Sequence, residues 1–176
     1  MTLYDIAKLF TEQLLDKFYL IKTDSRQILV KTFPKHFLHL TGMQRCIDIK
    51  IKSSEKFFYD CIHNKYSKQL KEYNYKNKSD KNMVDMKTRN FARIEESIKN
   101  AELLYILDND NTANAVSVAF KAGKSDKYMT IVFKLEKGKD YFIPASIQID
   151  KSYEYSIIKT ATRSEKINSV ECIHNK

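Results

Sequence analysis

The spacing of apolar residues changes near the middle of the chain, and this change limits the folds that the sequence can adopt. Before about residue 101, apolar residues recur every three or four positions, which is typical of amphipathic helices. From Leu103 onward they fall in short runs separated by turn-like stretches, which is typical of strands. Helices followed by consecutive strands predict an α+β fold, and 176 residues suffice for one domain over 1–176.

The first half is predicted to contain helices and one hairpin. An N-terminal helix over 1–16 would begin at Thr2, whose hydroxyl can cap it. The strand-like runs 18–21 and 27–33 predict a hairpin, which Pro34 ends because proline has no N–H for the ladder. The remaining elements are predicted at 53–64 (helix), 65–81 (short helix, then a mobile connection) and 82–101 (helix).

The second half is predicted to contain strands at 103–107, 115–121, 128–136, 141–149 and 155–162. Their tight spacing, with no helix between them, predicts an antiparallel meander. The expected architecture is therefore N-terminal helices and a hairpin followed by a four- to five-stranded antiparallel sheet. The folded core would span 17–162, and 163–176 would be a mobile tail.

Glycine is scarce, and this scarcity excludes several nucleotide-binding classes. The three glycines, Gly42, Gly123 and Gly138, lie too far apart to form a Walker loop, a Rossmann fingerprint or a kinase glycine loop. No HExxH, His-x-Glu or EF-hand pattern occurs, so the sequence predicts neither a metal site nor a cofactor. Three cysteines with long spacings argue against a disulfide scaffold and favour a reducing cytoplasm.

The chain is basic, with 31 Lys+Arg against 22 Asp+Glu and a formal net charge of +9. This excess favours a polyanionic partner, usually nucleic acid, although a lysine-rich composition can also reflect an AT-rich genome. Arginine is a planar fork, so the few arginines, including Arg45 and Arg93, are the better candidates for fixed phosphate contacts. The sequence shows neither a membrane span nor a signal peptide, which predicts no membrane partner.

The segment 33–43 concentrates the residues that can carry chemistry. It holds Lys35, and if it is helical, His36 and His39 share a face and can reach one phosphate. Thr41 follows as a candidate hydrogen-bond donor to a phosphate oxygen. The alternative is structural: His39 caps a helix or fills a core, and the glycine after Thr41 merely ends a helix.

Two other features are open to a functional or a structural interpretation. Arg93 can stabilise a pentavalent phosphorane, or it can simply pair with a neighbouring glutamate on the helix surface. Ser146 and Lys159 lie among tyrosines that can stack on bases, although most aromatic residues suit a core. The pentapeptide Cys-Ile-His-Asn-Lys occurs at 61–65 and 172–176, but its flanks differ, so it is not an internal repeat.

Four short motifs resemble a phage and mobile-element family of predicted nucleases, the phage members of the Barnase–EndoU–colicin–RelE-like group. The strongest is Phe37-Leu38-His39-Leu40-Thr41-Gly42-Met43 after the hairpin, which is similar to the family's F-x-H-L-x-G pattern. The others are Phe57-Phe58-Tyr59-Asp60 with Asn64-Lys65, Arg93-Ile94 before Leu103-Leu104-Tyr105, and Tyr141-Phe142-Ile143-Pro144-Ala145-Ser146. The resemblance covers about residues 17–160.

The resemblance implies a metal-independent ribonuclease that activates the ribose 2′-hydroxyl for attack on the adjacent phosphate. The products would be a cyclic phosphate and a 5′-hydroxyl end. By the same resemblance, His39 would be the acid or base, Thr41 and Ser146 would bind phosphate oxygens, and Arg93 would stabilise the developing charge.

Only one histidine lies in a family motif, so a His–Arg–Lys mechanism assisted by Lys35 or Lys159 is also expected. Arg45 and His36 are further substrate-binding candidates. Such families can lose catalysis and keep binding, so the alternative is a phage-encoded inhibitor that binds a host nucleic acid or a defence nucleoprotein. In either case the expected location is the host bacterial cytoplasm. The expected partner is nucleic acid, RNA in preference, with an antitoxin or host defence complex as a possible protein partner.

Overall fold

The structure is a computed structural model that describes residues 1–107, 114–121, 128–150 and 161–174. These residues form helices and a sheet, so the α+β class is confirmed. The helices are α1 (Leu3–Phe10), α2 (Phe37–Thr41), α3 (Ser54–Ile62), α4 (Lys78–Arg89) and α5 (Ile94–Lys99). The strands are β1 (Lys17–Thr23), β2 (Gln27–Val30), β3 (Leu103–Ile106), β4 (Ala115–Lys121), β5 (Tyr128–Leu135), β6 (Phe142–Asp150) and β7 (Arg163–His174).

Helix α1 begins where the sequence predicts. The Thr2 hydroxyl accepts a hydrogen bond from the Asp5 N–H at 3.2 Å, and the Asp5 carboxylate accepts one from the Thr2 N–H at 2.7 Å. This reciprocal capping box satisfies N–H groups that have no partner inside the helix. The helix continues as a π-helical turn, Thr11–Leu15, directly before β1.

The predicted helix over 82–101 is in fact two helices, because the first helix ends at Asn90. The Asn90 side-chain amide donates to the Met86 carbonyl at 2.8 Å and so competes with the backbone pattern of the helix. Met83 and Met86 of the first helix are half-buried. The buried residues of α4 are Asp80, Val84, Lys87 and Thr88.

The strands form a closed barrel in the order β1-β2-β6-β5-β4-β3-β7 among the described residues. The prediction of a four- to five-stranded antiparallel sheet is therefore wrong. The hairpin β1–β2 is part of the sheet, because β2 pairs in parallel with β6 through Val30 and Phe142 while β1 pairs with β7. The result is a mixed seven-stranded barrel in this part of the chain, since every other neighbouring pair is antiparallel.

Strand β7 occupies the segment for which the sequence predicted a mobile tail. It pairs antiparallel with β1 from Lys17–His174 to Thr23–Ile167 and with β3 along its other edge. Its side chains are exposed or half-buried, so the sequence lacks the apolar alternation that identifies a strand. The strand predicted at 155–162 lies mostly in 151–160, outside the described residues.

A cluster of phenylalanines packs the helices together and holds α2 in place. The ring of Phe37 in α2 lies 5.2 Å from that of Phe10 and 5.5 Å from that of Phe58, both in edge-to-face arrangements. Phe91 packs on the same rings. Burying an aromatic side chain of this kind contributes about 1.5–3 kcal/mol, so the position of α2 is strongly fixed.

The two copies of Cys-Ile-His-Asn-Lys adopt different structures. The first ends α3, with Asn64 at φ +55°, and the described part of the second lies in β7. Their identity in sequence therefore reflects no shared structural role. Cys46, Cys61 and Cys172 are free, and no helix among the described residues is long and apolar enough to cross a membrane.

Candidate active site

The segment between β2 and α4 places the candidate residues. Pro34–His36 forms a 3-10 turn that leads into α2, and α2 ends at Gly42, whose φ of +78° is the left-handed conformation that favours glycine. The Gly42 N–H donates to the carbonyls of Leu38 at 3.1 Å and His39 at 3.2 Å. This C-cap turns the chain sharply after His39.

The two histidines of this segment have different environments. His39 is exposed on α2. His36 is buried in the 3-10 turn, and its Nδ1 accepts a hydrogen bond from the Phe33 N–H at 3.1 Å. Burial, and then the charge of Lys35, lowers the pKa of His36 to about 4, so this imidazole is neutral at pH 7. The expected shared face does not form, because only His39 belongs to the helix.

A groove of about 480 Å³ lies between the end of α2, helix α4 and strand β6. Its lining residues are His39, Gln44, Arg45, Met83, Met86, Lys87, Ala145, Ser146, Ile147 and Gln148. Of the site residues predicted from the sequence, the structure thus brings together His39, Arg45 and Ser146. Ser146 lies far from His39 and Arg45 in the chain, and the three meet because α2 and α4 both pack against β6.

Lys87 is the principal residue that the sequence analysis missed. Its side chain is 7% exposed, and its Nζ donates to the His39 carbonyl at 3.3 Å. Among the described residues, no carboxylate lies within ion-pair distance of this amine. Burial, followed by the charge of Arg45, lowers the pKa of Lys87. The available signal was a lysine on the same stripe of α4 as Val84 and Thr88.

Arg45 contributes a second cation to the groove. It pairs with the buried carboxylate of Asp80 on α4, and its side chain remains 41% exposed. Its Nε is buried and has no hydrogen-bond partner among the described residues. The Asp80 contact therefore orients the guanidinium while leaving N–H donors for a ligand.

Ser146 and Thr41 differ in their access to the groove. Ser146 lies on β6 opposite Val132 and is half-buried at the groove wall. Thr41 is fully buried, and its hydroxyl donates to the carbonyls of Phe37 at 2.9 Å and Leu38 at 3.1 Å. The structure thus gives Thr41 a role within α2 rather than a position where it meets a phosphate.

Of the other predicted site residues, those that the structure describes do not line this groove. Lys35 pairs with Glu136 at 2.9 Å and lines a second pocket. Arg93 lies in a 3-10 turn before α5, with its Nε 3.8 Å from the Glu96 carboxylate. This pairing is the one expected if Arg93 has a structural rather than a catalytic role. Lys159 lies outside the described residues.

The groove combines a proton-transfer group with two cations. Imidazole can accept or donate a proton, and the guanidinium and the ammonium can stabilise negative charge that develops during a reaction. The groups converge on one space, which suits a substrate that carries phosphate. No group of three or more potential metal ligands occurs among the described residues.

Comparison with known proteins assigns the chain to the nucleases. The model of the family described as "phage-Barnase-EndoU-ColicinE5/D-RelE like nuclease4" matches residues 2–171, nearly the whole chain. The chain belongs to this family, and the predicted resemblance is confirmed. Membership implies that nucleic acid is a partner. No curated protein and no solved structure matches the chain.

Proposed function

We propose that this protein is an endoribonuclease that cleaves RNA without a metal ion. The observation that carries the proposal is the convergence of His39, Arg45 and Lys87 on one groove in a chain of a nuclease family. The net charge of +9 supports it, because a positive field draws a polyanion to the protein.

In the proposed reaction the ribose 2′-oxygen attacks the adjacent phosphorus and the bond to the 5′-oxygen breaks. His39 takes the proton of the 2′-hydroxyl, and the Lys87 ammonium gives a proton to the departing 5′-oxygen. Arg45 holds the phosphate oxygens, and Ser146 donates a hydrogen bond to the same group. The products are a 2′,3′-cyclic phosphate and a 5′-hydroxyl. Arg45 and Lys87 thus take the charge-stabilising role expected of Arg93.

The test is cleavage of RNA in the presence of EDTA by the wild type, His39→Gln and His63→Gln. His63 is exposed at the end of α3 and is not part of the groove, so its variant is a matched control. We expect His39→Gln to lose about 10²- to 10⁴-fold in rate, the usual contribution of a general acid or base. Mass spectrometry should find cyclic phosphate ends, and a DNA strand of the same sequence should not be cut.

Three outcomes would contradict the proposal: loss of cleavage in EDTA, equal cleavage by His39→Gln, or cutting of DNA at the rate of RNA. A wild type that binds RNA and never cuts it would also refute it, and would favour the non-catalytic inhibitor. Expression in bacteria separates the two functions. A ribonuclease toxin acting in the host cytoplasm arrests growth, and His39→Gln relieves that arrest, whereas a pure binder keeps its effect in the variant.

A further inference from the structure

A second pocket lies at the other end of the segment that carries His39. It has a volume of about 290 Å³ and is lined by Phe33, Pro34, Lys35, Glu55 and Tyr141. The rings of Phe33 and Tyr141 are both half-buried and lie 5.9 Å apart at 50°. The proposed cleavage leaves this pocket without a role.

Cations lie against both rings. The Lys31 ammonium is 4.9 Å from the centre of the Tyr141 ring, and the Lys35 ammonium is 5.8 Å from that of Phe33. Aromatic faces combined with lysines form the kind of surface that binds single-stranded nucleic acid, with bases stacking on the rings and cations attracting the backbone. The negative charge of Glu55, which also lines the pocket, disfavours a phosphate inside it, so the pocket suits a neutral base.

Two pieces of chain contribute to both this pocket and the groove. The segment from Phe33 to Gly42 begins at the pocket and reaches the groove at His39. Tyr141 directly precedes β6, and Ser146 lies five residues further along at the groove wall. Five residues of a strand span roughly 16 Å, and stacked nucleotides spaced about 3.4 Å apart cover that length within about five nucleotides.

We infer that the Phe33–Tyr141 pocket is a nucleobase subsite that stacks a base of the RNA strand a few nucleotides from the phosphate held at His39. The inference rests on the proposed function in one respect: the RNA strand is taken to run from this pocket toward the groove. It concerns binding, however, so it is measurable when no cleavage occurs.

The test uses a 2′-O-methyl RNA of about ten nucleotides, within the length range of single-strand sites, which cannot form the cyclic phosphate. Its dissociation constant is measured by fluorescence anisotropy for the wild type, Phe33→Leu, Tyr141→Leu and Tyr141→Phe. We expect about tenfold weaker binding for each leucine variant and little change for Tyr141→Phe, because a stacked base contributes roughly that factor. Tyr59→Leu, at an exposed aromatic residue of α3 that does not line the pocket, is the matched control.

Oligonucleotides with one abasic position each separate stacking from misfolding. Removing the base at one position should lower the affinity of the wild type about tenfold. The same removal should hardly change the affinity of Tyr141→Leu, because the variant has already lost the ring beneath that base. The inference is overturned if Tyr141→Leu binds as tightly as the wild type, or if its loss is the same for a fully abasic strand. Failure of the proposed function appears instead as absent cleavage of ordinary RNA while base-dependent binding persists.

Discussion

The two ends of the segment from Phe33 to Gly42 show how burial decides what a histidine does. At one end His36 is buried, accepts a backbone hydrogen bond and has a pKa lowered to about 4. Three residues later, nearer the other end, His39 is exposed, and its carbonyl accepts a hydrogen bond from the buried Lys87. The residue type is the same, but one imidazole stabilises a turn and the other faces a groove where it can transfer protons.

The pockets at these two ends also differ in their chemistry. The groove at His39 contains the cations of Arg45 and Lys87. The pocket at Phe33 is instead formed around two aromatic rings, with lysines beside them and the carboxylates of Glu55 and Glu136 close by. Changes at the groove should therefore reduce the rate of reaction, and changes at the pocket should reduce affinity.

Lys87→Met should lower the cleavage rate by about 100-fold or more without destabilising the fold, because one charge-stabilising donor at a reacting group contributes about that much. Methionine fills a similar space and carries no charge to desolvate, so the free energy of unfolding should stay equal or rise. Steady-state kinetics measure the cleavage rate, and urea unfolding measures the free energy of unfolding. Lys78→Met, at an exposed position of the same helix, is the control. A loss of stability as large as the loss of activity would contradict this role.

His36→Asn should flatten the acid side of the stability curve. The pKa of His36 falls from 6.5 in the unfolded chain to about 4 in the fold, so its contribution is present above pH 6.5 and is lost as the pH falls through 4. That shift corresponds to about 3 kcal/mol, lost between these two pH values. Asparagine can still accept the Phe33 N–H but does not titrate. Urea unfolding from pH 7 to pH 4 measures the difference, and His63→Asn should retain the wild-type slope.

Gly42→Ala should destabilise the protein by about 1–2 kcal/mol, because a side chain at positive φ is strained. Gly138→Ala has similar strain, with φ +71°, but its Cβ would meet nothing within 4 Å. At Gly42 the added Cβ would lie 3.4 Å from Val84 Cγ2 and 3.5 Å from Lys87 Cδ. Both distances are ordinary van der Waals contacts, so Gly42→Ala should leave Lys87 in place and cleave RNA at nearly the rate of Gly138→Ala. Slower cleavage by Gly42→Ala, measured at matched stability, would show that Lys87 does not tolerate the change.

Lys35→Ala should weaken RNA binding a fewfold. It should also reduce the slope of log affinity against log salt concentration by about one. The effect is small because Lys35 is exposed and already paired with Glu136. Titrations at several salt concentrations give the slope. Lys99→Ala, which removes a lysine paired with Glu95 on α5, should leave the slope unchanged if contact with RNA is confined to the face formed by Phe33–Gly42 and β6.

Helices α1 and α3 were predictable because local signals specify them. The caps at Thr2 and Ser53 and the apolar stripes of α1 and α3 specify those helices without reference to the rest of the chain. Barrel closure was not predictable, because β7 is held by strand pairing and by ion pairs such as Lys22–Glu171 and Arg26–Glu165, and buries little apolar surface.

Part of the site was predictable for a similar reason. His39, Arg45 and Ser146 have side chains whose chemistry suggests a phosphate wherever they lie, and the groove unites them. Lys87 was missed because a lysine on a helix is ordinarily assigned to the solvent. Thr41 was predicted to bind a phosphate oxygen, because only the structure shows that its hydroxyl is hydrogen-bonded within α2.

Closure by β7 gives the order in which this protein can be completed during its synthesis. Glu165 accepts hydrogen bonds from Thr23, Ser25 and Arg26, so the turn of the first hairpin is tied to a strand made much later. Until that strand emerges from the ribosome, β1 and β3 each expose an unpaired edge. The barrel can therefore be sealed only after β7 has been translated, so an enzyme that acts on RNA would reach its folded form only once the ribosome has passed this last strand of the barrel.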